Sequence, residues 1–141
     1  MERNAICMNP YQSYSSLTLA YVGDAVYEVF IRTKLTENGD KKVNRLHKEA
    51  KNFVSAKAQC QIVEQLLDIL TPDEIDIFKR GRNTKVNTKA KNADFKEYHN
   101  ATGLEALIGY LYLSKNMERL TQILEKAYQI AADIQGESYE K

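Results

Sequence analysis

The segment from Ser15 to Leu35 constrains this chain most. Leu19, Val22, Val26, Val29, Phe30 and Thr33 recur at helical spacing and define one face of a helix. The opposite side holds Asp24, Glu28 and Arg32 in a line, but also Ala20, Tyr27 and Ile31. A helix that is apolar nearly all round, with only a narrow polar seam, sits at the centre of a helical assembly or is covered by a second subunit. Strand-like alternation is scarce along the rest of the chain. The spacing therefore predicts an all-α protein, a compact helical bundle.

The helix boundaries follow from local chemistry. The Ser15-Ser16 pair can cap the first helix, and Asn38-Gly39-Asp40 breaks the chain after it. A short basic helix is expected from about Lys41 to Asn52, and a longer one from about Val54 to Leu70. Thr71-Pro72-Asp73-Glu74 combines a capping threonine, a proline at the first helical position and an acid three residues after the cap. That helix should end near Gly81. Another runs from roughly Phe95 to Ser114, with Leu104, Leu107, Ile108 and Leu111 as its core stripe. The last runs from Met117 to about Ile134, striped by Leu120, Ile123, Leu124, Ala127, Ile130, Ala131 and Ile134. Residues 1–14 read as an irregular lead-in and residues 82–94 as a basic loop. With 141 residues, 43% of them hydrophobic, the chain can bury the core of a single domain spanning 1–141.

Composition excludes several functions. The formal net charge is +1, so any nucleic-acid surface must be local. Cys7 and Cys60 have no metal-like spacing and read as reduced thiols in a cytoplasmic protein. The first residues lack the apolar core of a signal peptide. No stretch is long and apolar enough to span a membrane, so no membrane partner is expected.

Two acids stand out against this apolar background. Asp24 lies in Tyr21-Val22-Gly23-Asp24-Ala25-Val26-Tyr27-Glu28, and Glu105 in Thr102-Gly103-Leu104-Glu105-Ala106-Leu107-Ile108-Gly109. A carboxylate on such a helix is costly unless something pairs it. Asp24 could be satisfied by a helix terminus or by Arg32, and Glu105 by a salt bridge at the edge of the bundle. A single cation shared by both acids is the reading under which the chain does chemistry. Gly109 permits close approach by another backbone, or leaves room for an ion beside Glu105.

The first of these runs resembles a signature of the ribonuclease III family, Phe-Leu-Gly-Asp-Ala-Val-Leu-Glu. The run Glu105-Ala106-Leu107-Ile108-Gly109-Tyr110-Leu111-Tyr112-Leu113 resembles that family's second signature. Order and separation fit one catalytic domain of that family and span essentially the whole chain. The resemblance implies an all-α homodimer that uses Mg²⁺ to hydrolyse double-stranded RNA, leaving 5′-phosphate and 3′-hydroxyl ends. It makes Asp24 and Glu105 the catalytic, metal-holding residues. Three other acids typical of the family are replaced here by Leu17, Ala20 and Thr102. The chain also ends soon after its last helix, without room for a separate RNA-binding domain. Both departures are similar to the mini-ribonuclease III branch, which implies maturation of 23S ribosomal RNA precursor ends. A ribosomal protein on that RNA is a further partner the resemblance would admit.

The basic segment offers a substitute for the absent domain. Arg80, Arg82, Asn83, Lys85, Lys89 and Lys91 are candidates to hold RNA phosphates. Duplex RNA is recognised through shape, phosphate and 2′-hydroxyl contacts, so base-reading side chains are not required. The basic residues of the second helix read as a solvated face before a phosphate contact, and His99 as a satisfied helix histidine. Tyr21, Tyr27 and Ile31 are candidates for a dimer interface. The alternative function is an inactive RNA-binding module with the same fold.

Overall fold

The structure is a computed structural model, which describes residues 9–84 and 93–140. Six helices carry the fold: α1 (Ser16–Thr36), α2 (Val43–Val54), α3 (Ala56–Leu66), α4 (Pro72–Arg82), α5 (Ala93–Leu113) and α6 (Met117–Glu140). No strand occurs among the described residues. Local signals set these boundaries. Ser15 Oγ accepts the Thr18 N–H at the start of α1. Ser55 ends α2, and its side chain caps α3 by accepting the Ala58 N–H. At α4, Thr71 and Glu74 form a reciprocal capping box ahead of Pro72.

The described part of the lead-in, from Asn9, is more regular than its sequence suggests. Pro10–Ser13 make a 3-10 turn after Asn9, whose side-chain oxygen accepts the Tyr11 N–H. The segment read as a loop is also shorter at both ends, because Arg82 closes α4 and Ala93 opens α5. Leu67–Ile69 leave α3 as a separate 3-10 turn.

Helix α5 is central, with α1, α3, α4 and α6 all packing against it. Leu104, Ala106, Leu107 and Ile108 are fully buried within it. The α6 stripe meets this core as expected, and only Ile134 stays partly open.

The buried face of α1 differs from the expected one. It consists of Leu19, Ala20, Gly23, Tyr27, Ile31 and Leu35, whereas Val29 is 65% exposed. Tyr27 and Ile31 therefore cannot form an intersubunit surface, while Tyr21, 82% exposed, remains available for one. The reason is the closeness of the α1–α5 crossing. A Cβ on Gly23 would strike the Glu105 carbonyl, and one on Gly109 the carbonyl of Leu19. Helix axes this close require small residues at the contact, so Ala20 and Gly23 turn inward and the valines turn out. Gly109 thus serves backbone approach.

Candidate active site

The tight crossing places the two acids. Asp24 directly follows Gly23, and Glu105 lies one helical turn before Gly109. Backbone contact between α1 and α5 therefore brings both carboxylates to one spot. Asp24 is exposed and Glu105 is largely buried, and the two lie within hydrogen-bond reach of each other when Glu105 carries a proton. Burial pushes the Glu105 carboxyl up to about 7, and the negative charges of Asp24 and Glu28 add to the rise. A hydrogen bond from Gln59 acts in the opposite direction. The buried Tyr27 hydroxyl, which donates to Phe53 O at 2.7 Å, is likewise raised by burial and then by Glu105 and Glu28.

Among the described residues, no positive side chain relieves this pair. Arg32 turns instead to Glu28, with Nε 3.3 Å from Oε2. Among the described residues, neither Asp24 nor Glu105 has an ion-pair partner. Nor do these residues hold a cluster of three or more His, Cys, Asp or Glu able to bind a metal. The donor set is therefore two carboxylates, with Glu28 as a further source of negative charge. Hard oxygen ligands of this kind suit Mg²⁺, which commonly takes one or two carboxylates and keeps several waters. A concentrated, uncompensated negative charge with a buried member fits such an ion.

Gln59 was not singled out from sequence. Its Nε2 donates to Glu105 Oε2 at 3.1 Å and to Val54 O at 3.0 Å. Its position was detectable, because residue 59 shares a helical stripe with Ile62, Val63 and Leu66, all buried. A glutamine on a core stripe needs a partner.

The sequence model of the Ribonuclease III domain matches residues 17–116 of this chain. The chain belongs to the ribonuclease III family. It is similar to the Mini-ribonuclease 3 of Clostridium tetani, 47% identical over 94% of this chain and 86% of the relative. The Mini-ribonuclease 3 of Brevibacillus brevis is 43% identical over 98% of this chain and all of the relative. A crystal structure of a Fusobacterium nucleatum protein superposes with a TM-score of 0.72 at 33% identity. It covers 92% of this chain and 99% of the other. Ribonuclease III proteins are endoribonucleases, generally metal-dependent, and act on double-stranded RNA. Of the three positions read above as having lost an acid, Ala20 and Thr102 are buried and Leu17 is exposed, and Thr102 Oγ1 donates to Tyr98 O. None of the three adds a carboxylate.

The basic residues separate into distinct settings. Arg80 donates to Gln12 O at 2.8 Å and to Tyr14 O at 3.0 Å, so it also anchors the N-terminal turn. Arg82 leans over the Phe78 ring and reaches Asn83 Oδ1 at 3.2 Å. Lys85, Lys89 and Lys91 lie outside the described residues. His99 is only half satisfied. Its Nδ1 lies 2.8 Å from Arg82 O, which can only accept, so that nitrogen carries the proton, while Nε2 is buried without a partner. No helix among the described residues is long and apolar enough to cross a membrane.

Proposed function

We propose that this chain is a Mg²⁺-dependent endoribonuclease that cuts double-stranded RNA at Asp24 and Glu105. The observation that carries the reading is the convergence of these carboxylates at the α1–α5 crossing, with no cationic partner among the described residues. Asp24 and Glu105 would hold the ion, with RNA phosphate completing its shell. Mg²⁺, when bound, supplies an acidified water and neutralises charge on the scissile phosphate. Asp24, at the exposed rim, faces the RNA. Glu105, the more buried of the two, would be the second carboxylate holding the ion. Arg80, Arg82, Asn83, Lys85, Lys89 and Lys91 would take flanking phosphates.

The similarity to mini-ribonucleases supports a stem of 23S ribosomal RNA precursor as the substrate, in the cytoplasm, with a ribosomal protein bound to that RNA as a further partner. A homodimer is supported by the outward side of α1. Tyr21, Val22, Val26, Val29 and Phe30 line a groove of about 820 Å³ that continues onto Tyr112 and Met117, with Asp24 also on its wall. A second copy seated there would bring two acidic sites near one duplex. The test is a labelled RNA duplex incubated with and without Mg²⁺. Wild type should cut only with Mg²⁺, and Glu105→Gln should bind the duplex without cutting. Intact RNA in every lane would overturn the proposal.

A further inference from the structure

Gln59 is 2% exposed, yet it is polar and belongs to neither carboxylate-bearing helix. Its amide bridges three elements. One N–H holds Glu105 Oε2 on α5, and the other holds Val54 O at the end of α2, one of the carbonyls that a helix terminus leaves without an intrahelical partner. The Val54 carbonyl can only accept, so the amide cannot be turned over without setting oxygen against oxygen. The orientation is therefore fixed. The remaining atom, Oε1, is buried without a partner among the described residues.

The residue type matters as much as the geometry. A lysine or arginine here would neutralise Glu105 and remove its demand for a cation. A leucine would leave a buried carboxylate oxygen without a donor. A glutamine orients the carboxylate and leaves its charge in place.

We infer that Gln59 is the positioning residue of the Asp24–Glu105 site: it holds one oxygen of Glu105 so that the other is presented to the cation shared with Asp24. This rests on the metal-site reading above. Outer-shell partners of this kind change metal affinity by about 10- to 100-fold when removed.

The test is Mn²⁺ binding to the full chain without RNA, followed by the electron paramagnetic resonance of free Mn²⁺, for wild type and Gln59→Leu. Gln59→Met, unbranched and of similar length, replaces the leucine variant if that one does not fold. Melting temperature is recorded alongside. The expected result is Mn²⁺ affinity at least about tenfold weaker in a variant that melts cooperatively. Cation-independent binding to an RNA duplex should stay at the wild-type level. A purely structural glutamine would lower the melting temperature and leave Mn²⁺ affinity within twofold, and that outcome overturns the inference alone. Wild-type protein that binds no Mn²⁺ overturns the metal-site reading, and the inference with it.

Discussion

Among the described residues, Glu74 and Glu105 are both withdrawn from water, and they are treated in opposite ways. Glu74, at the start of α4, meets Arg119 in a two-pronged pair, Nε to Oε2 at 2.7 Å and Nη2 to Oε1 at 2.8 Å. Its Oε1 also accepts the Thr71 N–H. Burial alone would raise this carboxyl, but the guanidinium and the capping contacts outweigh it and hold the group below its usual range. Among the described residues, Glu105 has only an amide for a partner and a second carboxylate for a neighbour, and it rises to about 7. Burial alone therefore does not separate the two glutamates. Among the described residues, a built-in counter-charge does: Glu74 has one and Glu105 has none.

Attacking the geometry behind the contrast should have the largest effect. Gly23→Ala drives a methyl group into the Glu105 carbonyl and forces α1 and α5 apart. A loss of about 3 kcal/mol or more is expected, read as a lower melting temperature. A variant as stable as wild type would mean that the crossing does not set the site. Next, Arg119→Met leaves Glu74 buried and unpaired, at a cost of about 3 kcal/mol in chemical denaturation, while the folded fraction keeps its cleavage.

Glu105→Gln should go the other way. Without a divalent cation at pH 8, it should be more stable than wild type, by up to the order of 3 kcal/mol, because it removes a charge that folding must desolvate. Cleavage should be lost. A destabilised Glu105→Gln would erase the distinction between the two glutamates.

Titration gives the same contrast with two signs. The folded value of Glu105 lies above the ordinary 4.5. Its contribution is thus full below about pH 4.5 and disappears as pH rises through about 7. Glu74 lies below its ordinary value, so its contribution is present above about pH 4.5 and is lost as the solution is acidified. Melting temperatures of cation-free wild type, Glu105→Gln and Arg119→Met between about pH 2 and 8 should show the first slope missing from Glu105→Gln and the second, below about pH 4.5, weakened in Arg119→Met. The smallest effect belongs to the exposed Glu28–Arg32 pair. Arg32→Ala should change stability by less than about 0.5 kcal/mol.

Much of this was legible in the chain, for reasons that differ by element. The caps at Ser15 and at Thr71-Pro72-Asp73-Glu74 are local chemistry, and they set the starts of α1 and α4 where expected. The α6 stripe is regular enough to give its own buried face. The inward face of α1 was not readable, because counting bulk favoured Val22, Val26 and Val29 while the crossing with α5 selected Ala20 and Gly23. The pairing of Asp24 with Glu105 was suggested by two acids on apolar helices. Gln59 was missed because its partner lies 46 residues away, and nothing beside it in sequence announces that partner.

The touching main chains at Gly23 and Gly109 have a consequence for variation in this molecule. The gap between the two acids is gauged by peptide groups, which neither swing between rotamers nor change size when a core side chain is exchanged. Repacking elsewhere in the bundle can accumulate without retuning that gap, whereas a single methyl group at either glycine alters it at once.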